Sequence, residues 1–407
     1  MCVTRVIPRI LLATILVPIV GQCPAQTAAS SQQRDAAFAL EQQGDTAAAE
    51  AAWQTILKAH PGNAEACAHL GFLASQQQHY SDAVRYYRRA AAINPSMPGL
   101  QLNMGLALFK AGDLKAAAHV LEPLYRNAPP DSPDAQRLRL LLGTAHYGAA
   151  EYAAAIPYLR DATTRDPQNL PYRLVLAHSC LWSEQYQCVL DVYHQILNLN
   201  AESAEADMLA GEAYDEMRDH NDAIEQFRNA VKADPREPGV HFGLGYLLWT
   251  QSQFDEAAQQ FELESNNSPN DAEALAYWAD SNVRLNRPDI ARPLVEKALQ
   301  LSSRQELPWL DLGILDATAG NSDTAFRDFQ QAEHLAPGDV QVHWRLARLY
   351  QAMGKHAEAQ AEFAKTKTLT QEADKTVREK LQASHSQEPQ SAAQPANPAP
   401  PHSTDQP

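Results

Sequence analysis

The chain has 407 residues, of which 45% are hydrophobic and only 7% aromatic, and it carries a formal charge of −16. Acidity of that size repels phosphate and so excludes nucleic acid as a natural partner, while favouring solubility and basic partners. Almost no stretch alternates apolar and polar residues with the period of two that half-buried strands require, so the expected fold class is all-α with essentially no sheet.

Residues 1–25 have the three parts of an export signal. Arg5 and Arg9 give a charged start, Ile10 to Val20 an apolar run, and Cys23-Pro24-Ala25 a small-residue exit, with cleavage expected after Ala25. The run is shorter than the roughly 20 residues of a spanning helix and contains Pro18, so a removed signal is expected rather than an anchor. Gln22 stands where a lipid-modified signal wants a small residue, which disfavours anchoring at Cys23. The expected location is a bacterial periplasm or the exterior. Export permits disulfides for the remaining cysteines, Cys67, Cys180 and Cys188. A Cys180–Cys188 bridge across a helix hairpin is sterically allowed. Cys188 nevertheless occupies an exposed register position, equivalent to Asp82, Asp222 or Glu256, and two unpaired thiols are expected.

From about residue 30 the chain keeps time. Pro61, Pro95, Pro129, Pro167, Pro235, Pro269 and Pro337 recur at multiples of one period once the four-residue insertion Ser132–Ala135 is allowed for, as do Gly71, Gly105, Gly143, Gly211, Gly245 and Gly313. Ala83, Ala117, Ala155, Ala223, Ala257, Ala291, Ala325 and Ala359 follow the same beat. Cut at that period, the chain gives ten units: 30–63, 64–97, 98–131, 136–169, 170–203, 204–237, 238–271, 272–305, 306–339 and 340–373. In 64–97 the stripe Cys67, Leu70, Gly71 and Ala74 predicts a first helix, and Ala83, Tyr87 and Ala90 predict a second that ends before Pro95. Gly44, Gly112, Gly320, Gly354 and Asn286 mark turns that need left-handed backbone. Arg85, Arg88 and Arg89, the densest basic cluster, fall on an outer, solvated helix face.

The Leu-Gly pairs (Leu70-Gly71, Leu142-Gly143, Leu244-Gly245, Leu312-Gly313), the small residue opening each second helix, the aromatic four places later (Trp53, Tyr87, Tyr193, Phe227, Phe261, Phe329, Phe363) and the closing proline together resemble the tetratricopeptide repeat family. That resemblance implies a right-handed superhelical solenoid of about ten helix hairpins whose first helices line a concave groove. After Gln371 a narrow stripe of Ala373, Val377 and Leu381 predicts a capping helix over 374–384, and the proline-, glutamine- and alanine-rich residues 385–407 are expected to be a disordered tail.

No HExxH, GxSxG or phosphate-loop motif occurs, and no cysteine–histidine spacing supports a zinc site, so no catalytic residue, metal or cofactor is assigned and the chain is expected not to be an enzyme. Array proteins bind, and the resemblance places the binding surface on the first helices. The candidate groove residues are Phe72, Phe109, Tyr147, His178, Trp182, Phe242, Tyr246 and Trp249, flanked by the acidic Glu212, Asp215, Glu216 and Asp280. An aromatic surface beside an acidic one suits an extended or helical protein segment with apolar anchors and at least one basic residue, so a protein-binding scaffold of the cell envelope is the expected role. Aromatic rings also hold sugars, and a glycan-contacting part of an exopolysaccharide apparatus is the competing expectation.

Overall fold

The computed structural model describes residues 28–199 and 203–385. The export segment and the tail beyond His385 lie outside these residues. Twenty helices, and no strand, occur among the described residues, two helices to each of the ten units. In chain order they are α1 (Ala28–Gln42), α2 (Thr46–Ala59), α3 (Ala64–Gln76), α4 (Tyr80–Ile93), α5 (Leu100–Ala111), α6 (Leu114–Asn127), α7 (Pro133–Gly148), α8 (Tyr152–Arg165), α9 (Leu170–Trp182) and α10 (Tyr186–Leu197). There follow α11 (Ala204–Glu216), α12 (His220–Ala233), α13 (Val240–Thr250), α14 (Phe254–Asn267), α15 (Ala272–Arg284), α16 (Pro288–Leu301), α17 (Glu306–Thr318), α18 (Ser322–Leu335), α19 (Val340–Ala352) and α20 (His356–His385).

The sequence explains each hairpin. Ala83, Ala117, Ala155, Ala223, Ala257, Ala291 and Ala325 are all fully buried where a second helix crosses the first, because a larger side chain would hold the two backbones apart. Glycine on the facing helix completes that approach: a Cβ on Gly71 would lie 2.8 Å from the Tyr87 ring, and one on Gly211 2.6 Å from Phe227. The aromatic four places after the alanine thus fills the hollow that glycine leaves. Every hairpin turn has one residue at positive φ and a bond from the following N–H back to the carbonyl five residues earlier, such as Asp113 N–H to Leu108 and Lys355 N–H to Tyr350. The insertion at 132–135 supplies an N-cap, the Ser132 hydroxyl accepting from Ala135 N–H, and the first turn of α7, which runs 16 residues.

Two expectations change. Cys180 and Cys188 are paired in a disulfide, with their Cα atoms 5.7 Å apart across the α9–α10 turn, so the expected free thiols are corrected. The exposed register position of Cys188 did not exclude pairing, because it begins a helix directly opposite the end of its partner's. The expected capping helix is not a separate element: α20 runs unbroken for 30 residues through the tenth unit and beyond it, since no proline or glycine interrupts.

The chain forms two compact units, divided after Gly243 within α13. In the first, Trp53, Tyr87, Leu100 and Leu121 are fully buried. In the second, Phe261 and Phe329 play the same part.

Candidate functional site

In the first unit, α7 to α11 bring together an aromatic and an acidic surface. Tyr147 on α7 meets Tyr152 on α8 edge to face at 5.8 Å, and Tyr152 stacks on Trp182 of α9 at 5.9 Å. Trp182 remains 54% exposed, the largest exposure among the large apolar side chains of the described residues. His178, one turn earlier on the same helix, lies 6.4 Å from the Tyr147 ring and 2.8 Å through Nε2 from the Glu205 carboxylate of α11. Tyr186 directs its hydroxyl at Glu216, 3.5 Å away.

The acidic members differ. Glu212 and Glu216 are exposed. Although Glu212 reaches solvent, crowding by protein atoms pushes its carboxyl upward, with Glu216 and Asp215 adding to the rise and His178 opposing it. Asp215 is half-buried and is already paired with His220 at 2.8 Å. Phe72 and Phe109 are half-buried on α3 and α5, with Phe109 packed against the core around Leu121 and Leu142. Phe242 is only 8% exposed and so belongs to the core rather than to a surface.

In the second unit the aromatic residues are locked to one another. Tyr246 and Trp249 stack at 6.1 Å, and Tyr277 meets both edge to face at 5.5 and 5.2 Å. The Trp249 indole N–H donates to Asp280 at 2.5 Å, and Arg284 covers the same ring while donating to the other oxygen of Asp280 at 3.2 Å. Asp280 is 1% exposed, so it anchors the aromatic cluster from beneath and offers no exposed charge.

Beside it lies Asp311, fully buried, with no donor of the described residues reaching either oxygen. Burial first, and the neighbouring Asp280 charge second, hold its carboxyl well above the ordinary range. Glu306 is pushed up to about 7 by burial and then by Asp339 and Asp280. Half-buried Arg345 is pushed down, by burial and then by Arg284. Sequence reasoning missed Tyr152, Tyr186, Tyr277 and Asp311. A signal existed for two of them: Tyr277, Asp311 and Arg345 are spaced by one repeat length each, so they occupy the same register position on three successive first helices.

Tetratricopeptide repeat models match residues 64–97, 102–169, 208–272 and 316–375, together more than half of the chain. The chain belongs to the tetratricopeptide repeat family. Its repeats are 18% identical over 302 residues to anaphase-promoting complex subunit 3 of Schizosaccharomyces pombe, covering 74% of this chain and 45% of that protein. They are 26% identical over 323 residues to cellulose synthase operon protein C of Xanthomonas axonopodis pv. citri, covering 71% and 21%. Among solved structures, YrrB, described as a tetratricopeptide repeat protein with an unusual peptide-binding site, is 17% identical with a TM-score of 0.36, over 44% of this chain and 91% of that one. The chain spans less than half the length of the curated relatives it matches. No helix among the described residues is long and apolar enough to cross a membrane.

Proposed function

We propose that this tetratricopeptide repeat protein is a non-catalytic interaction scaffold of a bacterial cell envelope, and that it takes a partner segment with apolar and basic side chains on the α7–α11 surface of its first unit. One observation carries the reading: Trp182 stands 54% exposed on a stacked Tyr152, on the same helix as His178, which meets Glu205 at 2.8 Å, and just before Tyr186, which points at Glu216. Exposing an indole costs free energy unless a partner covers it, and an aromatic anchor rimmed by acid is how a helix or strand with an apolar side chain and a lysine or arginine is held. The charge of −16 supports a basic partner. Arg5, Arg9 and the apolar run after them support export, and the Cys180–Cys188 bridge is of a kind that persists in an oxidising compartment.

The test is capture from envelope extract by the full chain and by Trp182→Ala, with the helical circular dichroism of both recorded. Truncating a buried anchor costs on the order of 2–4 kcal/mol, so a true partner should be depleted by more than tenfold. Identical capture by both proteins removes this surface from the binding site. The second reading, contact with glycan, is favoured by the likeness to the cellulose synthase operon protein. Retardation by soluble β-glucan in an affinity gel, lost in Trp182→Ala, would select it over protein binding.

A further inference from the structure

Three helices of the second unit converge on a cluster that the functional reading leaves unused. Glu333 near the end of α18, His343 on α19 and Glu362 on α20 each place one ligand-capable atom within 4.8 Å of the others. His343 is 2% exposed and Glu362 nearly as buried, while Glu333 reaches solvent. The tautomer follows from the partners. Nε2 of His343 lies 2.9 Å from the Pro337 carbonyl, which can only accept, so Nε2 carries a hydrogen and donates it. The other nitrogen, Nδ1, lies 2.7 Å from one oxygen of Glu362 and 3.9 Å from Glu333. The shorter contact is a hydrogen bond, too close for an ion between the two atoms, so an entering metal has to push Nδ1 and the Glu362 carboxylate apart and release the proton they hold to solvent.

We propose that Glu333, His343 and Glu362 form a divalent transition-metal site of the zinc type, with Nδ1 and two carboxylates as protein ligands and a fourth position on the solvent side, by Glu333. The ligand set suits zinc, which takes imidazole and carboxylate at about 2.0–2.2 Å in tetrahedral sites. Calcium or magnesium would want oxygen alone. A ligating histidine that donates its second N–H to a backbone carbonyl is also the usual outer-shell arrangement, because it fixes the ring and leaves the ligating lone pair aimed at the metal. The Nδ1–Glu362 contact opens and Glu333 closes as the ion enters.

Lys365 is the built-in competitor. Its ammonium lies 2.8 Å from Glu362 and 3.3 Å from Glu333, on the carboxylates that the metal would take. The ion displaces it, and the bound metal clips α18, α19 and α20 together. The separations of the three ligands along the chain match no short zinc motif, which is why the sequence does not reveal them.

The experiment is zinc titration of the full chain against a chromogenic chelator, with Co(II) absorption reporting geometry. Wild type is expected to bind one zinc that Glu333→Gln, on the accessible rim, weakens by at least about tenfold and that Lys365→Ala tightens. Co(II) should show the intense visible bands of a tetrahedral site. Equal affinity in wild type, Glu333→Gln and Lys365→Ala overturns the proposal, as does an absence of binding in both wild type and Lys365→Ala. Either result leaves the cluster as a proton-sharing ion-pair network. His343→Ala is not relied on, because its loss from the core can unfold the last repeat.

Discussion

At the residue scale the ten hairpin turns carry an unequal burden. All ten put one residue at positive φ, but glycine occupies that place only at Gly44, Gly112, Gly320 and Gly354, with Asn286 the next best choice. Gln78, Ala150, Glu184, Arg218 and Ser252 adopt the same conformation with a Cβ that crowds the following carbonyl, at a cost of roughly 1–2 kcal/mol each. Glycine and asparagine marked turns in the sequence; the other five were hidden there because nothing about glutamine or alanine announces φ near +60°. Ala150 is exposed, and its N–H bonds to the Tyr147 carbonyl, a contact glycine keeps. Ala150→Gly should therefore raise the urea midpoint, reflecting a gain of about 0.5–1 kcal/mol in unfolding free energy after the extra chain entropy glycine loses. A lowered midpoint would show that the turn is not strained.

At the element scale the α9–α10 hairpin is the exception that is stapled. Its unit departs from the repeat pattern, with Val189 in the alanine place and no glycine on α9. The Cys180–Cys188 bridge offsets that weaker packing by closing a loop of eight intervening bonds along the chain. Loop-closure entropy for so short a loop is about 2–3 kcal/mol. Cys188→Ser should lose that amount in thermal unfolding under air and lose nothing relative to wild type in reductant; an equal loss in both conditions would assign the effect to packing. The bridge was not legible because periodicity reports which face a residue occupies, not whether its Cβ meets another across a turn. The length of α20 was half legible: each of its two parts was read correctly as helix, and their fusion followed only from the missing breaker.

At the scale of the whole molecule the buried carboxyls set the response to pH. Asp311 is held well above its ordinary value, Glu306 rises to about 7 and Asp328 to about 6, each chiefly through burial. Folded carboxyls that are raised bind more protons than unfolded ones, so their stability contribution is complete below about pH 4 and is lost as pH climbs through 6 and 7. The chain should thus melt at a higher temperature near pH 5 than near pH 8. Asp311→Asn removes the strained ionisation and gives Asp280 an amide donor, so it should flatten that slope and gain on the order of 1–3 kcal/mol at pH 8. An unchanged slope would mean that Asp311 ionises freely. Because repeats touch mainly their neighbours, such effects stay local to the second unit rather than spreading along the array.

The sequence by itself determined the repeat, its length, the helical class and the residues that bury themselves, because glycine, alanine, an aromatic and proline each have a steric role that recurs with every hairpin. Only the tertiary structure decided which candidate side chains face solvent and which serve the core. Trp182 and Trp249 are both indoles on first helices, yet one is left standing on Tyr152 and the other is tied down by Asp280 and Arg284. That difference arises from neighbours one repeat away along the chain, and a pattern read along one helix holds no information about them.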